Sequence, residues 1–291
     1  MVRAVDRRRG LGIMLLGVVA ISPDALLLRL ISADEWTTLA WRGLLVGAVM
    51  MTIFLIQARR QALIQLRQTL IHGWPTALSY GTSTSLFVFS IANTTAANTL
   101  VILAAAPLFA AILGAVVLKE RVEPRTWIAS GVVVAGLALL FSGSMQGGHL
   151  FGDLAALGAA LSIAAFFVST RAAGHVALLP ATGAGAALGG LVAAFMAPTL
   201  AVESRDLLLL LLLAAVLLPL ASACMTIGPR YIPAPEASLV MLLEALLGPA
   251  LVWLGIGEVP GRETVLGGIL ILATLVVHTG AGYRRPRRPT P

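Results

Sequence analysis

The sequence predicts an all-α polytopic membrane protein, with ten transmembrane helices arranged as two inverted five-helix repeats. Three observations predict it. The 291 residues are 58% apolar and 11% charged, with a mean hydropathy of +0.95, whereas a soluble domain carries about 25% charged residues. Apolar runs recur along nearly the whole chain, each close to the roughly 20 residues a helix needs to cross a bilayer. Lys and Arg are confined almost entirely to the tails and alternate connections.

Hydropathy places spans at 11–31, 36–56, 71–92, 96–117, 125–142, 151–170, 180–200, 206–228, 235–256 and 263–281. The tight connections at 31–36 and 93–96 separate neighbours whose merger would give a helix too long for any bilayer. Helices are required because lipid leaves open strands with unpaired backbone groups. The first run follows Arg7-Arg8-Arg9 but is too long for a signal peptide, so it is expected to be retained.

Sixteen of the 20 basic residues fall on one side: four in the amino tail, Arg59, Arg60 and Arg67, then Lys119, Arg121 and Arg125, Arg171, Arg230, and Arg284 to Arg288. The other side holds Arg205 and Arg262. The positive-inside rule then makes both termini cytoplasmic, in a bacterial-type inner membrane, and the span count even. This placement also explains the net charge of +7 without a nucleic-acid partner. The lone cysteine, Cys224, excludes a disulfide framework and a Cys-x-x-Cys pair.

Sliding the chain on itself by 138 positions lays Ala97–Leu140 on Pro235–His278, Glu120 on Glu258 and Thr126 on Thr264. The halves are expected at 1–146 and 147–291. Five spans each means the second half enters from the opposite face, as in many secondary transporters.

Residues 93–141, from "NTTAANTLVIL" to "VVVAGLALLF", resemble the end of an EamA repeat of the drug/metabolite transporter superfamily. Residues 233–273, "PAPEASLVMLLEALLG" onward, form a matching block, and "SPDALLLRLI" and "WTTLAWRG" extend the likeness to the start. The resemblance implies a ten-helix carrier with a central cavity, commonly exporting amino acids; within the superfamily it is nearest to YddG-type amino-acid exporters. One departure is Ala245, where the family has a proline after the ninth-span glutamate.

Asp24 and Arg42 are the sharpest candidates, because either costs ~2.5–3.5 kcal/mol at mid-membrane and so avoids lipid. Counted from the turn at 33–34 they reach nearly the same depth, so an ion pair is geometrically allowed. It is either a clamp between two helices or a site for a substrate's ammonium and carboxylate. Glu244 in span nine is either a packing glutamate or a proton carrier. Span three is the most polar, with Ser79, Tyr80, Thr82, Ser83 and Ser85. Ser79 and Ser83 share a face, and Tyr80 is the best single cavity residue. Ser162 and Phe166 in span six and Ser222 in span eight are weaker candidates. Pro23, Pro107 and Pro219 fall near mid-span and free backbone carbonyls, and Gly185 with Gly189 permits close helix approach. Trp36, Trp74 and Trp127 suit interfacial anchoring.

His72, His149, His175 and His278 are scattered, so no metal site is expected, and no catalytic or cofactor-binding residue either. No phosphate-binding loop is present to drive transport with ATP. A passive channel is the nearest alternative; a lipid-modifying enzyme lacks the clustered acids or activated nucleophile it needs. The expected partners are a small-molecule substrate and the bilayer, and a monomer suffices.

Overall fold

A computed structural model describes residues 4–119, 124–173, 178–227, 231–232 and 240–283, and these are helical with short connections. Arg3, Glu120, Arg121, Glu123, His175, Arg230, the start of the expected ninth span and the basic tail from Arg284 lie outside the described residues.

The helices are α1 (Ala4–Ile21), α2 (Asp24–Leu30), α3 (Glu35–Ala58), α4 (Ala62–His72), α5 (Trp74–Asn93), α6 (Ala96–Leu103) and α7 (Ala106–Val117). The chain continues through α8 (Pro124–Gly147), α9 (Leu150–Ala173), α10 (Leu178–Met196), α11 (Ser204–Leu211), α12 (Leu218–Ile227), α13 (Glu244–Ile256) and α14 (Arg262–Tyr283). Among the described residues seven helical stretches are long and apolar enough to cross a membrane, and Glu244–Ile256 is a shorter apolar helix. The hydroxyl-rich α5 and the closing α14 are of similar length, at 20 and 22 residues.

Several spans are interrupted. Pro23 offers no amide, and the first span breaks at Ser22–Pro23 before resuming at Asp24. A π-helical stretch, Leu212–Leu217, precedes Pro219, where a missing donor disturbs the usual ladder. The fourth span turns at Ala104–Ala105, two residues before Pro107, with the Ala105 amide on the Ile102 carbonyl at 3.1 Å and the Leu108 amide on Ala105 at 3.0 Å. A turn of the same kind occupies Leu242–Leu243: the Leu243 amide meets Val240 at 3.1 Å and the Leu246 amide meets Leu243 at 3.1 Å. Ala245 therefore does not abolish the break before Glu244, which rests on short-range bonds instead of a missing donor.

The spans pack as antiparallel pairs. α3 lies along α10, α5 along α9, α8 along α14 and α1 along α12, while α13 packs on α6 and α2. Glycine sets the closest approach. A Cβ on Gly43 would sit 2.6 Å from the Ala186 carbonyl oxygen and 2.7 Å from the Gly190 Cα. Gly185 likewise meets the backbone of Ala77 and Gly81, and Gly189 the Ser85 hydroxyl, so the small-residue pair anticipated in span seven faces α5.

Within the stretch 57–70, expected as a plain connection, a helix begins at Ala62: α4, which runs on through His72 into the start of the expected third span. α3 and α5 run in opposite directions along α10, so α4 joins two helix ends on the same side of the bundle and does not cross it. That side also receives the start of α1, which meets Tyr231 and Ile232. The opposite side, called here the distal end, carries the connections at 31–34, 94–95, 148–149, 197–203 and 257–261.

Candidate functional site: an ion pair at the helix breaks

Asp24 opens α2 directly after the break, where a carboxylate faces the positive end of the resumed helix. Arg42 projects from α3, and its guanidinium Nη2 donates to Asp24 Oδ2 at 2.8 Å. Both residues are buried, 6% and 5% exposed, so the equal depth read from the sequence brings the two charges into contact. Each retains a valence: Asp24 Oδ1 and Arg42 Nε are buried side-chain atoms without a hydrogen-bond partner.

The surroundings come from α5, α9 and α13. The Arg42 guanidinium carbon stands 5.6 Å from the Phe87 ring centroid, a cation–π distance. Tyr80 interacts electrostatically with Arg42 and Asp24, and its ring meets Phe166 of α9 at 5.7 Å between centroids. Tyr80, Ser83 and Phe87 are three and four positions apart and share one helix face; Ser83 on that face is buried. Glu244, first residue of α13 and also directly after a break, interacts electrostatically with Asp24. Two interrupted helices thus present carboxylates to one interior.

Ser79 and Ser162 are half-buried on α5 and α9, and Ser222 half-buried on α12, all on helices around this centre. Two hydroxyls expected in the cluster serve elsewhere. Thr82 is exposed on the outside of α5, and the Ser85 hydroxyl donates to its own helix at the Gly81 carbonyl, 2.8 Å. Among the described residues, no group of three or more His, Cys, Asp or Glu side chains could hold a metal.

A second polar region, absent from the sequence reading, closes the distal end. Asp153 on α9, 0% exposed, accepts from the Thr94 hydroxyl at 2.5 Å and from Asn98 Nδ2 at 3.0 and 3.2 Å. Thr264 of α14 donates to Asn98 Oδ1. Beside them Arg29 pairs with Glu258 at 3.2 Å and donates to the Thr94 carbonyl, while Glu258 accepts the Ala96 amide at 2.7 Å. Asp206 on α11 receives the amides of Ser32 and Ala33 at 3.0 and 3.1 Å. A cleft of about 270 Å³ opens among Arg29, Asn93, Thr95, His149 and Glu258. It sits at the distal end, away from Asp24 and Arg42. The available signal was polar residues within the first turns of spans four, six and eight, which hydropathy treats as mere span ends.

Residues 8–142 match the sequence model of the EamA-like transporter family. The first half of the chain is thus EamA-like, and that family is one of membrane transporters and not of enzymes. With the seven apolar stretches, the match indicates a multi-pass membrane protein. A solved structure, described only as the crystal structure of a protein, superposes with a TM-score of 0.68 over 95% of this chain and 99% of its own, at 18% identity. That likeness concerns the fold alone, and it extends through both halves. No curated protein matches the chain.

Proposed function

We propose that this chain is a ten-helix secondary transporter of the drug/metabolite type that exports small zwitterionic metabolites, amino acids foremost, across an inner membrane by alternating access. The observation that carries the substrate class is the buried Asp24–Arg42 pair with one unpartnered atom on each side. A zwitterion supplies the two complements in one molecule: an ammonium for Asp24 and a carboxylate for Arg42. Tyr80, Phe87 and Phe166 form the adjoining aromatic wall, Ser79, Ser83, Ser162 and Ser222 contribute hydroxyls around it, and Glu244 supplies a second carboxylate able to carry a proton.

The inverted repeat has support from the breaks. Three backbone bonds around Ala104–Ala105, from the amides of Ala105, Leu108 and Phe109, recur around Leu242–Leu243 at a spacing of 138 residues, the offset that aligns the two halves. The packing supports the same reading, since span three pairs with six and eight with one, and a two-fold relation between halves would exchange these two pairs. In this reading the distal network is the shut outer gate, the basic end faces the cytoplasm with both termini, and the closed centre is an occluded state.

The test is counterflow in proteoliposomes across a panel of amino acids and other small metabolites. Saturable, trans-stimulated uptake of amino acids is the expected result. Uptake without trans-stimulation makes the protein a channel, and a panel in which no amino acid counterflows defeats the substrate class.

A further inference from the structure

The connection between the second and third spans is longer than a turn requires, and its composition is one-sided. α3 ends at Ala58, and its cap residue Arg59, with a φ of 45°, takes the chain out of the helix. The eleven residues of α4 then run along one end of the bundle. Thr69 is buried at 2% exposure on the protein side. On the other side Leu63, Ile64, Leu70 and Ile71 are 81%, 63%, 65% and 53% exposed. In water such a face is penalised.

The last turn of α3 is aliphatic and exposed as well, with Leu55 and Ile56 at 51% and 68%. Its charge is uniform. Arg59, Arg60 and Arg67 are exposed, and no Asp or Glu occurs anywhere between Glu35 and Glu120. Arg67 lies at the middle of the exposed aliphatic face by helical spacing, where its long stem can cover apolar surface while the guanidinium reaches outward. Trp74, 59% exposed at the start of α5, sits where indoles anchor at headgroup depth.

We propose that α4 is an interfacial helix that binds anionic phospholipid: its aliphatic face enters the headgroup–acyl boundary, and Arg59, Arg60 and Arg67 hold the phosphates. Buried apolar area and attraction to anionic lipid are the two forces that retain such helices on a membrane. No acidic side chain along this segment competes for the arginines. The same phosphate free in solution would not engage the aliphatic residues, so the bilayer lipid is the occupant.

The experiment uses the full chain with Cys224→Ser and one spin label, on Leu63→Cys or Leu70→Cys. It is reconstituted in phosphatidylcholine with or without phosphatidylglycerol. Depth is read from relaxation by oxygen against a water-soluble nickel chelate, and bound phosphatidylglycerol by mass spectrometry. Labels shielded from nickel and accessible to oxygen are expected. Arg67→Gln is expected to weaken phosphatidylglycerol binding by about fivefold, and removing all three arginines to weaken it further by a similar factor each. Labels open to nickel in both lipids overturn the proposal, as does unchanged lipid binding in Arg67→Gln. Label–label coupling between two copies also overturns it, by making a second chain the occupant. The label readout keeps all three arginines and does not depend on the variants folding.

Discussion

The Asp24–Arg42 pair and the Asp153 network draw on similar side chains, buried to a similar degree, and differ in how completely their valences are met. Asp153 receives three bonds across its two oxygens from Thr94 and Asn98, and Asn98 in turn accepts from Thr264. Four elements are tied by groups that satisfy one another. Asp24 and Arg42 satisfy each other through one bond and leave Oδ1 and Nε without partners. An unpaired buried polar atom costs about 1–3 kcal/mol; the Asp153 network avoids that cost, whereas the central pair bears it, as do Arg29 Nε and Asp206 Oδ1 beside the network. A centre kept short of partners is one that a ligand can complete.

The contrast can be broken most decisively at the centre. The double variant Asp24→Asn with Arg42→Gln removes both charges together, which avoids stranding either one in the interior. Thermal unfolding in detergent is expected to stay near the parent's, while transport falls about 100-fold or more. Recovered transport in the double variant makes the pair a helix clamp and erases the contrast. At the distal end Asp153→Ala strands Asn98 and Thr94, and a loss of about 2–3 kcal/mol of stability is expected in denaturant titration. A variant as stable as the parent means the network does not lock that end.

Two smaller tests sharpen the picture. Tyr80→Phe keeps the ring against Phe166 and deletes the hydroxyl, so KM is expected to rise about fivefold with stability unchanged. Asp34 caps α3, accepting from the Trp36 and Thr37 amides at 3.0 and 3.1 Å and from the Thr37 hydroxyl. Burial pushes its carboxyl up, but these hydrogen bonds outweigh burial and hold it below the usual carboxylate range. Its contribution is therefore full above the unfolded value and lost as pH falls through the lower folded one. Asp34→Ala is expected to cost about 1 kcal/mol at neutral pH, with the difference from the parent vanishing in acid.

Seven of the apolar stretches and the central pair were legible because hydropathy and isolated charge are strong signals in lipid: a carboxylate and an arginine at one depth have few options but each other. The break at Leu242–Leu243 was not, because the expectation rested on a proline and the turn forms without one. α4 escaped because its aliphatic residues come as the doublets Leu63-Ile64 and Leu70-Ile71, short of any span. The distal network was hidden by separation, since Asn98 and Thr264 lie 166 residues apart and each alone looks like a polar span end. Of the five span-three residues singled out, Tyr80 and Ser83 share the helix face that carries Phe87, whereas Thr82 points outward.

The seam where Gly43 meets Gly190 has a mechanical meaning. Neither glycine sets a side chain between the two backbones, so at that point the helices meet much as two polished rails do. Any rocking of the two halves would find its bearing along that line, and a single added methyl group would act as a wedge driven into it.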